Sequence, residues 1–279
     1  SAVFHFKGRT AHAGGDPHNG RSALDAAELM NVGANYLREH VTSDVRIHYS
    51  YKETGTAPNI VPDRAGVWYY VRAMTRDAVE DTYNRLVKVA QGAALMTETE
   101  LDVEFLGGCY NTMPNEVLSR QCCDLMEAIG APVWTKEEIE FAEALNKTCP
   151  QYEECADKGY LDDGPLHTKL NGLSKTDSFG STDVGDVEHI VPCTMICTAT
   201  YNIAASGHSW QVTACAGSSI GFKGMLFGAR VMAAAAVELI DRPELLEAAK
   251  KEFDEKMKGR RYICPIPDGL AAPQPAAAK

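Results

Sequence analysis

No two of the nine cysteines stand at C-x-x-C spacing, and only Cys122 and Cys123 are adjacent. An odd, scattered count argues against a disulfide framework and for reduced thiols in a cytosolic protein. No histidine is followed by x-Asp, and no C-x-H occurs. Positive charge is in deficit, with a net charge of -11. Nucleic acid is thus not an expected partner, because phosphate binding needs a basic face. An anionic substrate would need a local positive site. No apolar run is seen that approaches the roughly 18 residues of a membrane span, so no membrane contact is expected. No basic-then-apolar leader follows Ser1, and there are no internal repeats.

What is present suits a soluble globular protein: 45% hydrophobic residues in a chain of 279. That length holds one large or two modest domains. Val3 to Lys7 reads as a strand, and a helix follows from about Gly20 to Glu39. Val45–Tyr51 and Gly66–Arg72 alternate as strands. Arg76 to about Leu95 carries a helical apolar stripe, and Leu101–Phe105 closes the unit. The order βαββαβ predicts a ferredoxin-like sheet with helices on one face and free edges. Gly107-Gly108 marks a boundary. A helix is expected from Pro114 and Asn115 to about Ala128. Thr135 and Glu138 form a capping box for another, to about Asn146. Cys149 to Ser178 reads as a long surface excursion. Ile190–Thr200 reads as a buried strand, Ser218 to about Leu239 as the most apolar helix, and Pro243 to Lys258 as a last helix. The expected division is residues 1–108, 109–264 and a tail, 265–279, rich in Pro and Ala and disordered.

Six residues stand out for chemistry. Gly8-Arg-Thr-Ala-His12-Ala-Gly-Gly-Asp-Pro-His18-Asn-Gly-Arg-Ser-Ala-Leu-Asp25 runs strand, loop, helix. It presents His12 and His18 near a helix start, where free N–H groups favour an anion. The same loop also reads as a small-residue turn with solvent-facing histidines. Asn59 sits between Pro58 and Pro62, which limit its conformations. Arg72 ends a strand; a guanidinium can grip a carboxylate bidentately or sit in a weak surface pair. Asp183 can orient a histidine or cap a turn. His208 follows the apolar strand, where catalytic groups of α/β sheets gather, and a fixed neutral imidazole is a good zinc ligand. A structural histidine fits that place too. Glu137-Glu138 and Glu153-Glu154 read as solvated charge.

Four segments occur in order: Gly8 to Asp25, Gly55-Thr-Ala-Pro-Asn59-Ile-Val-Pro62-Asp63, Ser181-Thr-Asp183-Val-Gly-Asp-Val, and Gly207-His208-Ser209. Together they resemble the aminoacylase and carboxypeptidase G-type family of zinc peptidases and amidohydrolases. The resemblance runs from that family's lid, or dimerisation, domain to about Lys258. It implies an α/β chain: a ferredoxin-like lid followed by the C-terminal half of the catalytic domain. It implies hydrolysis of an amide between an acyl or aroyl group and an amino acid, with p-aminobenzoyl-glutamate among the substrates. It implies two zinc ions, or manganese, in the intact enzyme. By resemblance His12 reaches the partner's active site and steadies the oxyanion, Asn59 and Arg72 bind substrate, His208 is a metal ligand, and Asp183 lies beside the site. His18 matches no catalytic position. A homodimer, or a heterodimer with a homologous subunit, would form through the lid. The family takes most ligands and its Glu pair from a segment before the lid. The expectation is that this half is missing here, leaving the metal site incomplete and the chain alone inactive. A non-catalytic dimerisation or subunit-interaction module is the alternative.

Overall fold

Phe4 and Phe6 point one way from a strand while His5 and Lys7 point the other, and this alternation decides which sheet face is buried. The computed structural model describes residues 1–174 and 180–269. The chain divides into two units. The first takes Ser1–Thr112 with the described parts of 178–186 and 262–279; the second takes the described parts of 113–177 and Val187–Arg261.

The first unit runs β1 (Ala2–Lys7), α1 (Ala23–Leu37), β2 (Arg46–Glu53), β3 (Arg64–Arg72), α2 (Arg76–Thr97) and β4 (Glu100–Phe105). Its strands form one antiparallel sheet in the order β2-β3-β1-β4. Phe4 stands opposite Val67 and Val103, and Phe6 opposite Ala65 and Leu101. These rows, with Ile47 and Tyr69, pack on Ala23, Ala27 and Met30 of α1 and on Leu86, Ala90 and Ala93 of α2. Alanine at the helix contacts lets both helices lie close to the sheet. Each large apolar side chain so buried contributes about 1.5–3 kcal/mol, which outweighs the ion pairs on the opposite face. There His5 meets Glu104 at 2.9 Å and Lys7 meets Glu100 at 3.1 Å, all exposed or half-exposed. Ser22 and Thr75 cap α1 and α2 by accepting from the N–H groups of Asp25 and Ala78.

The second unit is helical: α3 (Glu116–Ile129), α4 (Lys136–Asn146), α5 (Tyr152–Asp157), then α7 (Trp210–Ala216), α8 (Ser219–Asp241) and α9 (Pro243–Met257). A short α6 (Val184–Glu188) lies where the chain passes from one unit to the other. Glu252 of α9 accepts from the N–H groups of Glu116 and Val117 at 2.7 and 3.0 Å, so one carboxylate closes the start of α3.

Four expectations need correction. Ile190–Thr200 is not a strand: the N–H groups of Ile190 and Val191 both turn back onto the Val187 carbonyl. From Met195 to Thr200 no backbone group bonds another backbone group among the described residues. The run instead lies against α3 and α8: the Ser119 and Thr194 hydroxyls meet at 2.5 Å, and Gly224 comes so close that a Cβ there would sit 2.1 Å from the Ala199 carbonyl oxygen. The excursion after Cys149 is not all surface, because Leu166 is buried with Trp134, Leu145 and Ile220. Among the described residues α8 is long and apolar enough to cross a membrane by length and composition, which the sequence reading missed. Its inner side, with Ile220, Phe227 and Val231, is buried, while Phe222, Met225, Leu226, Met232 and Ile240 are exposed. Glu138 is not solvated. It is 6% exposed, and its carboxylate accepts from Lys223 Nζ and Ser219 Oγ, each at 2.6 Å, and from the Thr135 N–H at 2.7 Å. The disordered tail expected at 265–279 lies, from residue 270 onward, outside the described residues.

Burial alone would push the Glu138 carboxyl up; the Lys223 and Ser219 hydrogen bonds, the capping bond and the Lys223 charge outweigh it and hold it at about 2. Its contribution is therefore complete above the ordinary glutamate range and is lost as pH falls from there toward 2. Glu138→Gln should cost about 3 kcal/mol at neutral pH. It should also flatten the acid limb of stability between pH 4.5 and 2. Urea unfolding across that window, wild type against variant, checks both.

Candidate active site

β1 ends where the loop begins, and the loop does not run free. Gly8 N–H donates to the Asp63 carbonyl at 2.8 Å, Val61 N–H to Ala11 at 2.9 Å, and Ala13 N–H to Asn59 at 2.9 Å. Arg9 and Arg21 exchange backbone bonds of 2.8 and 2.9 Å, and Ala23 N–H donates to Pro62 at 2.8 Å. Two segments far apart in sequence, 8–13 and 59–63, are thus zipped side by side, and His12 pairs with Ile60. His12 and Asn59 become neighbours in this way, both exposed. Neither position is set by local propensity alone.

The zip also orients the His12 ring. Its Nδ1 accepts from the N–H groups of Gly14 and Gly15 at 3.2 and 2.9 Å. A nitrogen that accepts carries no proton, so the neutral ring bears its hydrogen on Nε2. His12 therefore presents an N–H donor outward from a loop held by backbone bonds. His18 lies in a 3₁₀ turn, Pro17–Asn19, exposed beside Asp16. The free helix start expected of α1 is largely occupied. Ala23 N–H goes to Pro62, Asp25 N–H to the Ser22 hydroxyl, and the Asp25 carboxylate stands in the first turn. An anion site there is not supported.

Arg72 is elsewhere. It closes β3, opposite Arg46, with its guanidinium 5.5 Å from the Tyr70 ring centre. Asn59 lies before the other end of that strand. Eight residue steps separate Arg64 from Arg72, roughly 26 Å of extended chain. Asn59 and Arg72 of one chain thus lie toward opposite ends of β3.

Asp183 is exposed just before α6; its carbonyl accepts from Asp186 N–H at 3.0 Å, as a helix-entry residue does. Phe179 of the same motif lies outside the described residues. The more engaged carboxylate is Asp186, which accepts from Tyr110 N–H at 3.2 Å and the Tyr262 hydroxyl at 3.0 Å. Only its place in the Ser-Thr-Asp-Val-Gly-Asp run could have drawn attention to it.

His208 belongs to the second unit and is exposed. Its φ is +62°, in the left-handed region that costs a non-glycine residue energy. Glu98 and Lys258 share that conformation, but both cap helix C-termini, where it is ordinary. His208 instead precedes Ser209, the N-cap of α7. Strain at an exposed histidine in a loop marks a functional candidate. Among the described residues no group of three or more His, Cys, Asp or Glu side chains could hold a metal ion. His208 offers one imidazole, and a complete donor set is not present among the described residues.

Residues 1–96 match the peptidase dimerisation domain, M20_dimer. The chain is 34% identical over 96% of its length to one of the p-aminobenzoyl-glutamate hydrolase subunits of Escherichia coli, and spans 60% of that protein. It is 29% identical over 92% of its length to the Xaa-Arg dipeptidase of Mus musculus, and spans 52% of it. Among solved structures it matches the aminobenzoyl-glutamate utilization protein from Klebsiella pneumoniae with a TM-score of 0.40 and 26% identity, over 44% of this chain and 33% of that one. The resemblance is thus shared with the dimerisation-domain model over residues 1–96 and with these two relatives over most of the chain.

Gly8 is the tightest joint of the zip. A Cβ there would sit 1.9 Å from the Arg21 carbonyl oxygen, whereas at Gly92, in α2, it would meet nothing. Gly8→Ala should therefore cost on the order of 2–3 kcal/mol and strip exchange protection from the Ala13 amide. Gly92→Ala should be neutral or stabilising, by up to about 1 kcal/mol. Urea unfolding with hydrogen exchange on both variants separates the two outcomes.

Proposed function

We propose that this chain is part of a metal-dependent amidohydrolase that cleaves the amide between an acyl or aroyl group and an amino acid, p-aminobenzoyl-glutamate being the first substrate to test. Support comes from the hydrolases named among its relatives. The observation that carries it is the His12 loop. A donor fixed by backbone bonds, with its N–H pointing outward beside Asn59, is what a developing oxyanion requires. His12 Nε2–H would donate to the tetrahedral oxyanion, and the Asn59 carboxamide would hold the substrate next to it. Arg72, at the far end of β3, would serve the same substrate only from a different protomer, by binding its carboxylate. Asp183 would act beside the site by orienting a histidine.

The metal, zinc or manganese, would need donors beyond the described residues, with His208 supplying one. Two features of the second unit favour further polypeptide around it. An apolar helix, α8, is covered on one side only, and a β-rich run, Met195–Thr200, has no backbone partner among the described residues. A helix that is apolar all round is ordinarily buried all round. The chain alone would accordingly be inactive, and the intact protein would be a cytoplasmic homodimer, or a heterodimer with a homologous protein. A further relative, named as the other p-aminobenzoyl-glutamate hydrolase polypeptide of Escherichia coli, agrees with the latter.

A second reading, a non-catalytic association module, is favoured by the dimerisation-domain match and by the open edges of β2 and β4. The two readings part in a single assay of the full-length protein. On the first, His12→Ala lowers kcat/KM for p-aminobenzoyl-glutamate roughly 100-fold while KM changes little. On the second, the wild type shows no turnover of any N-acyl amino acid, with zinc or manganese added.

A further inference from the structure

Both flanks of His208 are held by one short stretch of chain at the end of α4, Asn146 to Cys149. On the upstream side the Asn146 Oδ1 accepts from Asn202 Nδ2 at 2.7 Å and from Ala204 N–H at 2.9 Å. The Asn146 Nδ2 donates to the Pro165 carbonyl at 3.3 Å, the same oxygen that accepts from Ile203 N–H at 3.0 Å. On the downstream side Gln211 Nε2 donates to the Thr148 carbonyl at 3.1 Å and to its hydroxyl at 3.2 Å. Asn146, Asn202 and Gln211 are 2%, 0% and 4% exposed.

The amide orientations follow from the backbone. Ala204 N–H can only donate, so Asn146 must turn its oxygen toward it. Asn202 must then turn its NH2 toward that oxygen. The Asn202 Oδ1 is left buried with no partner among the described residues. A network with an orphaned acceptor is a poor way to gain stability, since apolar side chains of the same shape would do as well or better. What the network does supply is geometry. It fixes residues 202–204 before His208 and residue 211 after it, with His208 at φ +62° between them.

We propose that Asn146 and Gln211 are positioning residues that clamp the His208 loop and hold its imidazole in one orientation. This rests on His208 being a functional residue. The clamp itself makes no contact with substrate.

The test uses the full-length protein with isotope-labelled histidine and Zn²⁺ alone as probe. In wild type the His208 Cα and Hα resonances should take single values typical of positive φ. Asn146→Ala should move them to averaged coil values and raise the Zn²⁺ Kd about tenfold or more, the usual effect of losing a group that orients a ligand. Gln121→Ala, which removes a different buried amide bond, to the Ala235 carbonyl, should lower Tm while leaving both readouts alone. The clamp is refuted if a folded Asn146→Ala keeps the wild-type His208 resonances, or if Gln121→Ala moves them as far. Should Asn146→Ala not fold, Gln211→Ala releases the downstream flank and is read the same way. If His208→Ala leaves the Zn²⁺ Kd unchanged while Asn146→Ala still shifts the His208 resonances, the ligand role fails and the clamp stands.

Discussion

The backbone ladder between residues 8–13 and 59–63 is the constraint on which the candidate site depends. Each rung is an ordinary amide hydrogen bond of 2.8–2.9 Å, modest by itself. Together they remove the freedom of a glycine-rich loop that would otherwise sample many conformations. The ordered loop then lets two glycine amides dock on His12 Nδ1, which decides where the ring carries its proton. A catalytic donor gains from being placed before charge develops, because no reorganisation remains at the moment of reaction. The sheet beneath contributes by anchoring both ends: β1 leads into one strand of the ladder, and β3 leads out of the other.

The second unit applies the same principle differently. His208 is not held by a ladder; its flanks are held by two buried side-chain amides, Asn146 at the end of α4 and Gln211 in α7. Its backbone conformation is unfavourable in isolation and persists because both neighbours are pinned. In each unit the exposed histidine rests on a buried or backbone-satisfied support, and in each the support comes from residues distant in sequence. That arrangement suits a site that other polypeptide completes, and the exposed side of α8 and the run before Tyr201, without a backbone partner among the described residues, agree with it.

Much of the first unit was legible in the sequence because its signals are local. Alternation of Phe4 and Phe6 and the apolar stripe after Arg76 each speak for their own element. The site was legible only in pieces. His12 and Asn59 could be read from their motifs, but that their segments pair could not, since a hydrogen-bond partner some fifty residues away leaves no local trace. The distance between Asn59 and Arg72 was hidden for the same reason: sequence spacing does not tell which end of a strand faces which loop. Ile190–Thr200 has a strand's composition, yet a strand exists only with a neighbour. Glu138 was readable as a cap, but its burial comes from Lys223 and Ser219 on another helix. The left-handed backbone at His208 had no signal at all, because glycine, the residue that announces it, sits one place earlier.

The central claim is that His12 serves an active site completed by another protomer. Complementation between inactive variants tests it most directly. His12→Ala and His208→Ala forms of the full-length enzyme, each inactive alone, would be unfolded together and reassembled as mixed dimers. If His12 acts across the interface, mixed dimers carry one intact site, and up to about a quarter of wild-type activity returns. If activity stays at the level of the separate variants while mass measurement shows that mixed dimers have formed, His12 and His208 do not share a site across the dimer, and the account is wrong.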